Sequence, residues 1–162
     1  MNPRNIALSL ECYIKKGEKY LMLHRHPSKR IMPNVWMAPG GKREFNEGLF
    51  ECARREIFEE TGLKIKNLRV KVAGNAYMKD IDLELYFHFI LADWDSGELV
   101  EEADNGILEW LTPEEMAQKE NLLPEIRQLL PYLFDGTDRV ISCKAVYEEG
   151  IKMTEFLIED PF

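Results

Sequence analysis

The sequence has few cysteines, and their arrangement excludes a disulfide framework or a structural zinc site. Its 162 residues include only three cysteines, Cys12, Cys52 and Cys143, which are scattered and have no metal-ligand spacing. An odd number of isolated thiols is typical of a protein kept in a reducing compartment. We therefore expect free buried thiols and predict a cytoplasmic location.

Long apolar runs are also lacking. None approaches the roughly 20 residues that a membrane-spanning helix needs, and no charged segment followed by an apolar one opens the chain. Repeats, low-complexity tracts and linkers are absent as well. The hydrophobic share of 45% is ordinary for a globular protein. We expect a single domain over residues 1–162 that has no membrane partner.

Basic residues are outnumbered by acidic ones. The chain has 21 Lys and Arg against 29 Asp and Glu, so its formal net charge is −8. This balance argues against binding a nucleic acid polymer, which requires a basic surface. A small phosphorylated substrate remains compatible, provided that a divalent cation cancels the local repulsion.

Acidic residues are concentrated in residues 41–63, which read GKREFNEGLFECARREIFEETGL. Glu56, Glu59 and Glu60 have the i, i+3, i+4 spacing that places side chains on one side of a helix. Clustered carboxylates repel each other unless a cation lies between them, and oxygen-only ligands suit Mg²⁺ or Mn²⁺. The alternative is a solvated helix face, with Arg55 pairing to Glu51 and Glu59.

Hydrophobic periodicity predicts strands surrounding at least two helices. We expect a helix from about Leu49 to Glu60, with Gly62 as its stop, a helix starting at the Thr112 cap, and a helix over about 124–134. The predicted strands cover residues 5–14, 19–25, 64–76, 82–93 and 107–111, and a closing hairpin covers 139–147 and 151–159. The fold class is therefore α/β (α+β).

The acidic run also follows a longer pattern, G-x5-E-x7-R-E-U-x-E-E-x-G-U, in which U is aliphatic. All of its fixed positions are met, by Gly41, Glu47, Arg55, Glu56, Ile57, Glu59, Glu60, Gly62 and Leu63. The run resembles the Nudix box, the signature of a hydrolase family that acts on nucleoside diphosphates linked to another group. So many fixed positions met in register favour a metal site over a solvated helix face.

The resemblance implies a fold and a set of metal ligands. The fold is a Nudix-type α/β/α sandwich with a mixed β-sheet and, here, a C-terminal β-hairpin. By position, the ligands of Mg²⁺ or Mn²⁺ are Glu56, Glu59, Glu60 and the carbonyl of Gly40. Glu47 is expected to support the loop that follows the glycines.

The resemblance also implies catalytic residues, which we expect to be Glu56, Glu59, Arg55 and Glu101. The identity of the general base stays open, although Glu56 is placed to orient or deprotonate a metal-bound water. Arg55 is expected to orient a glutamate through a bidentate pair. Relatives often supply a further glutamate from the loop before the strand that precedes the second helix; Glu101 matches that position, with Glu102 as the alternative.

Three residues are candidate substrate contacts. Lys42 follows the loop glycines and Arg25 ends a strand, so both are placed to meet phosphate, with solvent exposure as the alternative for Lys42. Trp110 is a candidate for stacking on a base, with a place in the core as the alternative.

Weaker features resemble the MutT-like branch, which removes 8-oxo-dGTP from the nucleotide pool. They are Trp36 before the glycine turn, Trp110 with Leu111, and the closing hairpin. Met37 stands where eukaryotic 8-oxo-dGTPases carry a base-reading asparagine, and residues 117–120 (AQKE) replace their Trp-Pro-Asp-Asp segment, so the base preference stays open.

The resemblance therefore implies metal-dependent hydrolysis of a nucleoside triphosphate, including an oxidised purine such as 8-oxo-dGTP, to the monophosphate and pyrophosphate. The alternatives are an ADP-ribose or nucleotide-sugar diphosphatase of the same fold and a non-catalytic nucleotide-binding regulator. The expected partner is a small nucleotide, and the chain is a monomer or a homodimer.

Overall fold

The structure, a computed structural model, describes residues 3–100 and 103–159. These residues form nine strands, three α-helices and a 3₁₀ turn at Lys79–Ile81. In chain order the elements are β1 (Ile6–Lys16), β2 (Lys19–Arg25), β3 (Trp36–Met37), β4 (Gly40–Lys42), α1 (Leu49–Thr61), β5 (Lys64–Met78), β6 (Leu83–Ser96), β7 (Gly106–Leu111), α2 (Pro113–Gln118), α3 (Pro124–Leu133), β8 (Ile141–Tyr147) and β9 (Met153–Ile158).

The strands form one mixed sheet in the order β3-β2-β1-β6-β5-β8-β9. The long central pair β1 and β6 is parallel, as is the pair β5 and β8, while β5–β6 and β8–β9 are antiparallel. The β8–β9 pair is the predicted C-terminal hairpin. The predicted mixed sheet is confirmed.

Strands β1 and β2 diverge soon after their connecting turn, which opens a cleft. They pair only where Lys15 and Lys16 meet Tyr20 and Lys19. Beyond that point β4 takes the free edge of β1, and β3 takes the free edge of β2. The glycine-rich strand β4 is therefore held beside β1, at one side of the cleft.

Two apolar cores lie on opposite faces of the sheet, because successive residues of a strand point to opposite faces. Along β1, Cys12 and Ile14 belong to the core that α1 covers through Cys52, Ala53 and Ile57. Tyr13 belongs to the other core, which α2 and α3 cover. Helices thus pack on both faces, as expected for the predicted sandwich.

Helix α1 begins and ends close to where its sequence predicts. Gly48 precedes it in an extended conformation, and Gly62 ends it with φ at 79°, a left-handed conformation that glycine adopts without steric cost. The Gly62 N–H donates to the Phe58 carbonyl at 3.0 Å. The predicted stop at Gly62 is confirmed.

The cap of α2 is also confirmed, because the Thr112 hydroxyl accepts a hydrogen bond from the Glu115 N–H at 3.1 Å. All three cysteines lie in the described ranges and are buried free thiols. Within residues 3–100 and 103–159, no helix combines the length and apolar character needed to cross a membrane.

Candidate active site

The glycines of β4 bring the backbone of this strand against the carboxylate of Glu56 in α1. A Cβ added at Gly41 would overlap the carboxylate of Glu56, and one added at Gly40 would overlap the Leu10 carbonyl of β1. Only glycine therefore allows β4 to pair with β1 while Glu56 lies against it. The sequence favours a glycine turn here, but Gly40 and Gly41 are extended in strand β4. The absence of Cβ atoms, rather than a tight turn, lets Glu56 lie against that strand.

Arg55 connects the acidic residues of the loop and of α1. Its Nε and Nη2 atoms donate to the two carboxylate oxygens of Glu47 at 2.6 and 2.9 Å, which is the bidentate geometry expected from the sequence. Its Nη1 atom donates to Glu56 at 2.8 Å and to Glu59 at 3.2 Å. One guanidinium thus holds three carboxylates in place.

Glu47 in turn supports the loop, since its Oε1 atom accepts a hydrogen bond from the Glu44 N–H at 3.0 Å. The hydrogen bonds from Arg55 and from the Glu44 backbone lower the pKa of Glu47 to about 2. The same carboxylate raises the pKa of Arg55, and burial opposes that change. Both groups are charged near neutral pH.

Glu60 is half-buried and is held on both of its oxygens. The Gly40 N–H donates to its Oε2 atom at 3.1 Å, and the Asn105 amide donates to its Oε1 atom at 2.9 Å. Burial raises the pKa of Glu60, and nearby Glu56 adds to that rise against the two hydrogen bonds. Glu60 therefore faces Gly40 of strand β4 as a partly desolvated acid.

The donor set fits a hard divalent cation in its chemistry. Glu56 and Glu60 both lie against the glycines of strand β4. All the side-chain donors are carboxylate oxygens, which suit such a cation. The negative charge of Glu56 raises the pKa of Glu60, and a bound cation would offset that repulsion. Glu59 is more exposed and bonds to Arg55. Among the described residues, no group of three or more His, Cys, Asp or Glu side chains is arranged to hold a metal ion.

A cavity of about 450 Å³ opens beside Glu56, within the usual size range of small-molecule sites. Gly41, Glu56 and Asn105 line it, together with two of the three candidate substrate contacts, Lys42 and Arg25. Arg25 is held in position because its Nε atom donates to the Ile31 carbonyl at 2.9 Å.

The third candidate substrate contact lies elsewhere. Trp110 is not among the cavity-lining residues; it packs beside the core under α1, with the Lys16 ammonium 5.7 Å from its ring centroid. Glu101, and Glu102 as its alternative, lie outside the described residues.

The cavity-lining residues that sequence reasoning missed include three polar ones, Glu11, Asn105 and Glu125. The sequence already shows Glu11 as an acid inside an apolar strand, which is an unusual pattern. In the structure this side chain is only 8% exposed. Glu125 directly follows the proline that starts α3 and is only 3% exposed. Asn105 lies in the short turn before β7, for which no local pattern indicates contact with Glu60.

The chain is similar to known proteins in sequence and in fold. A family model described as the NUDIX domain matches residues 7–133. The solved structure of the mutator MutT protein from Bacillus halodurans superposes with a TM-score of 0.82 at 23% identity, covering 96% of this chain and 99% of that one. This likeness shows the fold.

Two curated relatives show similarity over shorter stretches. An 8-oxo-dGTP diphosphatase of Buchnera aphidicola is 35% identical over 94 residues, which cover 58% of this chain and 67% of that protein. The m7GpppN-mRNA hydrolase NUDT17 of Xenopus laevis is 42% identical over 58 residues, 36% of this chain. The matched stretch spans only 20% of the length of the Xenopus protein.

Proposed function

The chain belongs to the NUDIX family, and on that premise we propose that it is a divalent-metal-dependent hydrolase of phosphoric anhydrides. Its proposed substrate is a nucleoside triphosphate, including an oxidised purine such as 8-oxo-dGTP, cleaved to the monophosphate and pyrophosphate. The observation that carries the proposal is the position of Glu56, which lies against Gly41 in the wall of the cavity and is held there by Arg55.

The proposed metal ligands are Glu56, Glu59, Glu60 and the Gly40 carbonyl. A bound Mg²⁺ or Mn²⁺ would neutralise phosphate charge and increase the acidity of a coordinated water. Arg55 restrains Glu56 and Glu59, and the Gly40 N–H and the Asn105 amide restrain Glu60. This prior positioning reduces the entropy lost when the reacting groups are aligned.

We propose that side chains of this protein carry out proton transfer and phosphate binding. Glu56 is the proposed acceptor for a proton of the attacking water, and Glu101 is proposed as a further catalytic glutamate. Lys42 and Arg25 line the cavity as cations placed to contact phosphate. Trp110 remains a weaker substrate candidate, because it is not among the cavity-lining residues. The buried thiols agree with the proposed cytoplasmic location.

The supporting relative is the Buchnera protein, whose name states 8-oxo-dGTP diphosphatase activity. Hydrolysis of ADP-ribose or of a nucleotide sugar is the rival activity, because the same carboxylates would serve a different anhydride. A substrate panel therefore decides between them. It contains canonical and oxidised deoxynucleoside triphosphates, ADP-ribose, nucleotide sugars and dinucleoside polyphosphates, each with Mg²⁺ and with excess chelator.

We expect turnover of a triphosphate that disappears with chelator and falls about 100-fold or more in Glu60→Gln, as expected when a catalytic group is misplaced. Glu51→Gln is the matched control, since Glu51 is an exposed acid on the same helix. Turnover that survives chelation, or a Glu60→Gln variant as active as the control, would contradict the metal mechanism. Exclusive turnover of ADP-ribose would favour the rival activity.

A further inference from the structure

Asn105 reaches the proposed metal site from outside the acidic run of residues 41–63. Its Nδ2 atom donates a hydrogen bond to the Oε1 atom of Glu60 at 2.9 Å, while the Gly40 N–H donates to the Oε2 atom at 3.1 Å. The two oxygens of a carboxylate offer about four acceptor positions in total. One donor on each oxygen therefore fixes the plane of the Glu60 carboxylate and leaves acceptor positions open for a cation.

The backbone of Asn105 is itself held in place. Its carbonyl accepts a hydrogen bond from the His26 N–H at 2.9 Å, and the flanking residues Ala103 and Gly106 exchange two hydrogen bonds at 3.3 and 3.2 Å. Gly106 pairs with Arg25, which ends β2 and lines the cavity. The amide of Asn105 is therefore presented from a fixed turn beside the end of β2.

The proposed metal ligands are restrained by two kinds of group. Arg55 donates to Glu56 and Glu59, so a positive charge partly neutralises those two carboxylates. Glu60 forms no ion pair within the described part of the chain, and the two groups that hold it are uncharged. An amide orients a carboxylate without cancelling its charge. Because Glu60 is also half-buried, its charge is screened less by water and is available to attract a cation.

We propose that Asn105 is a positioning residue of the metal site. Its amide orients the Glu60 carboxylate toward the cation and so determines how tightly the cation binds, while Asn105 itself does not contact the cation. Removing the hydrogen-bond partner of a metal ligand typically lowers metal affinity or activity about 10- to 100-fold. The inference rests on the proposed function, because it assumes that Glu60 is a metal ligand.

The first test measures metal affinity in the absence of any nucleotide. Binding of Mn²⁺ is followed through the electron paramagnetic resonance signal of the free ion. We expect Asn105→Ala to weaken Mn²⁺ binding about tenfold or more. Asn121→Ala is the matched control, since Asn121 is an exposed asparagine in a turn. Equal Mn²⁺ affinity of the two variants would overturn the proposal.

The second test separates positioning from a general disturbance of the fold. In Asn105→Ala, the Mg²⁺ concentration for half-maximal turnover should rise about tenfold, whereas kcat at saturating Mg²⁺ should fall less than about threefold. Near-ultraviolet circular dichroism checks that the variant folds. A loss of kcat at every Mg²⁺ concentration, with the half-maximal concentration unchanged, would contradict a positioning role.

The third test uses the unaltered protein, so it requires neither a folded variant nor turnover. In proton–nitrogen correlation spectra, we expect the side-chain amide signals of Asn105 to move as Mg²⁺ binds, because their acceptor becomes a metal ligand, and those of Asn121 to stay. Asn105 signals that stay fixed while Mg²⁺ binds would refute the inference.

These binding measurements also distinguish the inference from the proposed function. If both ions bind as expected but no nucleotide is hydrolysed, the proposed function fails and the positioning role stands. If turnover depends on Mg²⁺ but Mn²⁺ affinity does not depend on Asn105, only the positioning role fails. An unaltered protein that binds neither ion would contradict both.

Discussion

At the scale of single residues, Arg55 connects the loop after β4 to the acidic face of α1. Its guanidinium donates to Glu47, Glu56 and Glu59 and also to the Lys42 carbonyl at 3.2 Å. A planar fork with several fixed donors can serve these acceptors at once, whereas an ammonium group is a single point charge. The positions of the carboxylates therefore depend on the shape of this side chain as well as on its charge.

Arg55→Lys tests this dependence. We expect kcat to fall about 100-fold, because a displacement of about 1 Å in a catalytic group can have that effect, while the charge and the overall fold are kept. Turnover of the preferred triphosphate measures the loss. Arg54→Lys is the control, since Arg54 is exposed on the same helix. Equal activity of the two variants would show that Arg55 acts only through its charge.

Glu60 illustrates what lies beyond prediction at this scale. Helical spacing predicts that Glu60 lies one turn from Glu56, and both carboxylates do lie against the glycines of strand β4. Its second hydrogen bond comes from Asn105, 45 residues away in the chain. That contact depends on β7 pairing with β2, a long-range pairing that no local pattern around Asn105 encodes.

At the scale of elements, the site depends on how closely β4 approaches α1. Gly41 has no Cβ, and the space that a Cβ would fill is taken by the Glu56 carboxylate. The helix is anchored by Cys52, Ala53 and Ile57, which are fully buried against the sheet. Because both elements are fixed, a larger residue at position 41 must displace Glu56.

Gly41→Ala should therefore lower kcat/KM about 100-fold by moving Glu56. We expect the melting temperature to change little. Gly48→Ala is the matched control, since Gly48 has an extended backbone and its added Cβ would meet only the flexible Glu51 side chain at 3.3 Å. Steady-state kinetics and thermal melting of both variants check the prediction. If Gly48→Ala lost as much activity as Gly41→Ala, the close approach of β4 would not be the cause.

Elements with strong local signals could be predicted from the sequence, and the cavity could not. The Leu49–Glu60 prediction misses only Thr61, because the periodic apolar stripe and Gly62 mark both ends of α1. Strand β6 extends to Ser96, past the predicted end at residue 93, because Lys64 and Ile65 of β5 pair with Ser96 and Trp94. The cavity forms where β1 and β2 separate, and that separation results from tertiary pairing with β3 and β4.

At the scale of the whole molecule, the distribution of charge matters more than its sum. The net charge of −8 would repel a polyphosphate, yet four basic side chains line the cavity that also contains Glu56, namely Arg25, Lys29, Arg30 and Lys42. A local cluster of one sign in a cleft can concentrate an oppositely charged ligand despite the overall charge. The acidic composition is therefore compatible with the proposed nucleotide substrate.

The buried carboxyl groups also affect the stability of the whole fold. Burial raises the pKa of Glu125 from its ordinary value of 4.5 to about 7. Between these two pH values the folded protein holds a proton that the unfolded chain releases, so the free energy of unfolding falls as pH rises. Burial raises the pKa of Glu11 to about 8 and acts in the same direction. The lowered pKa values of Glu47 and Asp135, both about 2, affect stability only at more acidic pH.

Replacing the ionisable group of Glu125 should therefore flatten this pH dependence. We expect Glu125→Gln to match the unaltered protein near pH 4.5 and to exceed its unfolding free energy by a few kcal/mol at pH 8, because each pKa unit corresponds to about 1.4 kcal/mol. The Tyr147 hydroxyl can still donate to the amide oxygen, which limits other losses. Urea unfolding at pH values from 4.5 to 8 measures the difference, with exposed Glu120→Gln as the control. Parallel curves for Glu125→Gln and the unaltered protein would mean that Glu125 keeps the same proton affinity in the folded and unfolded states.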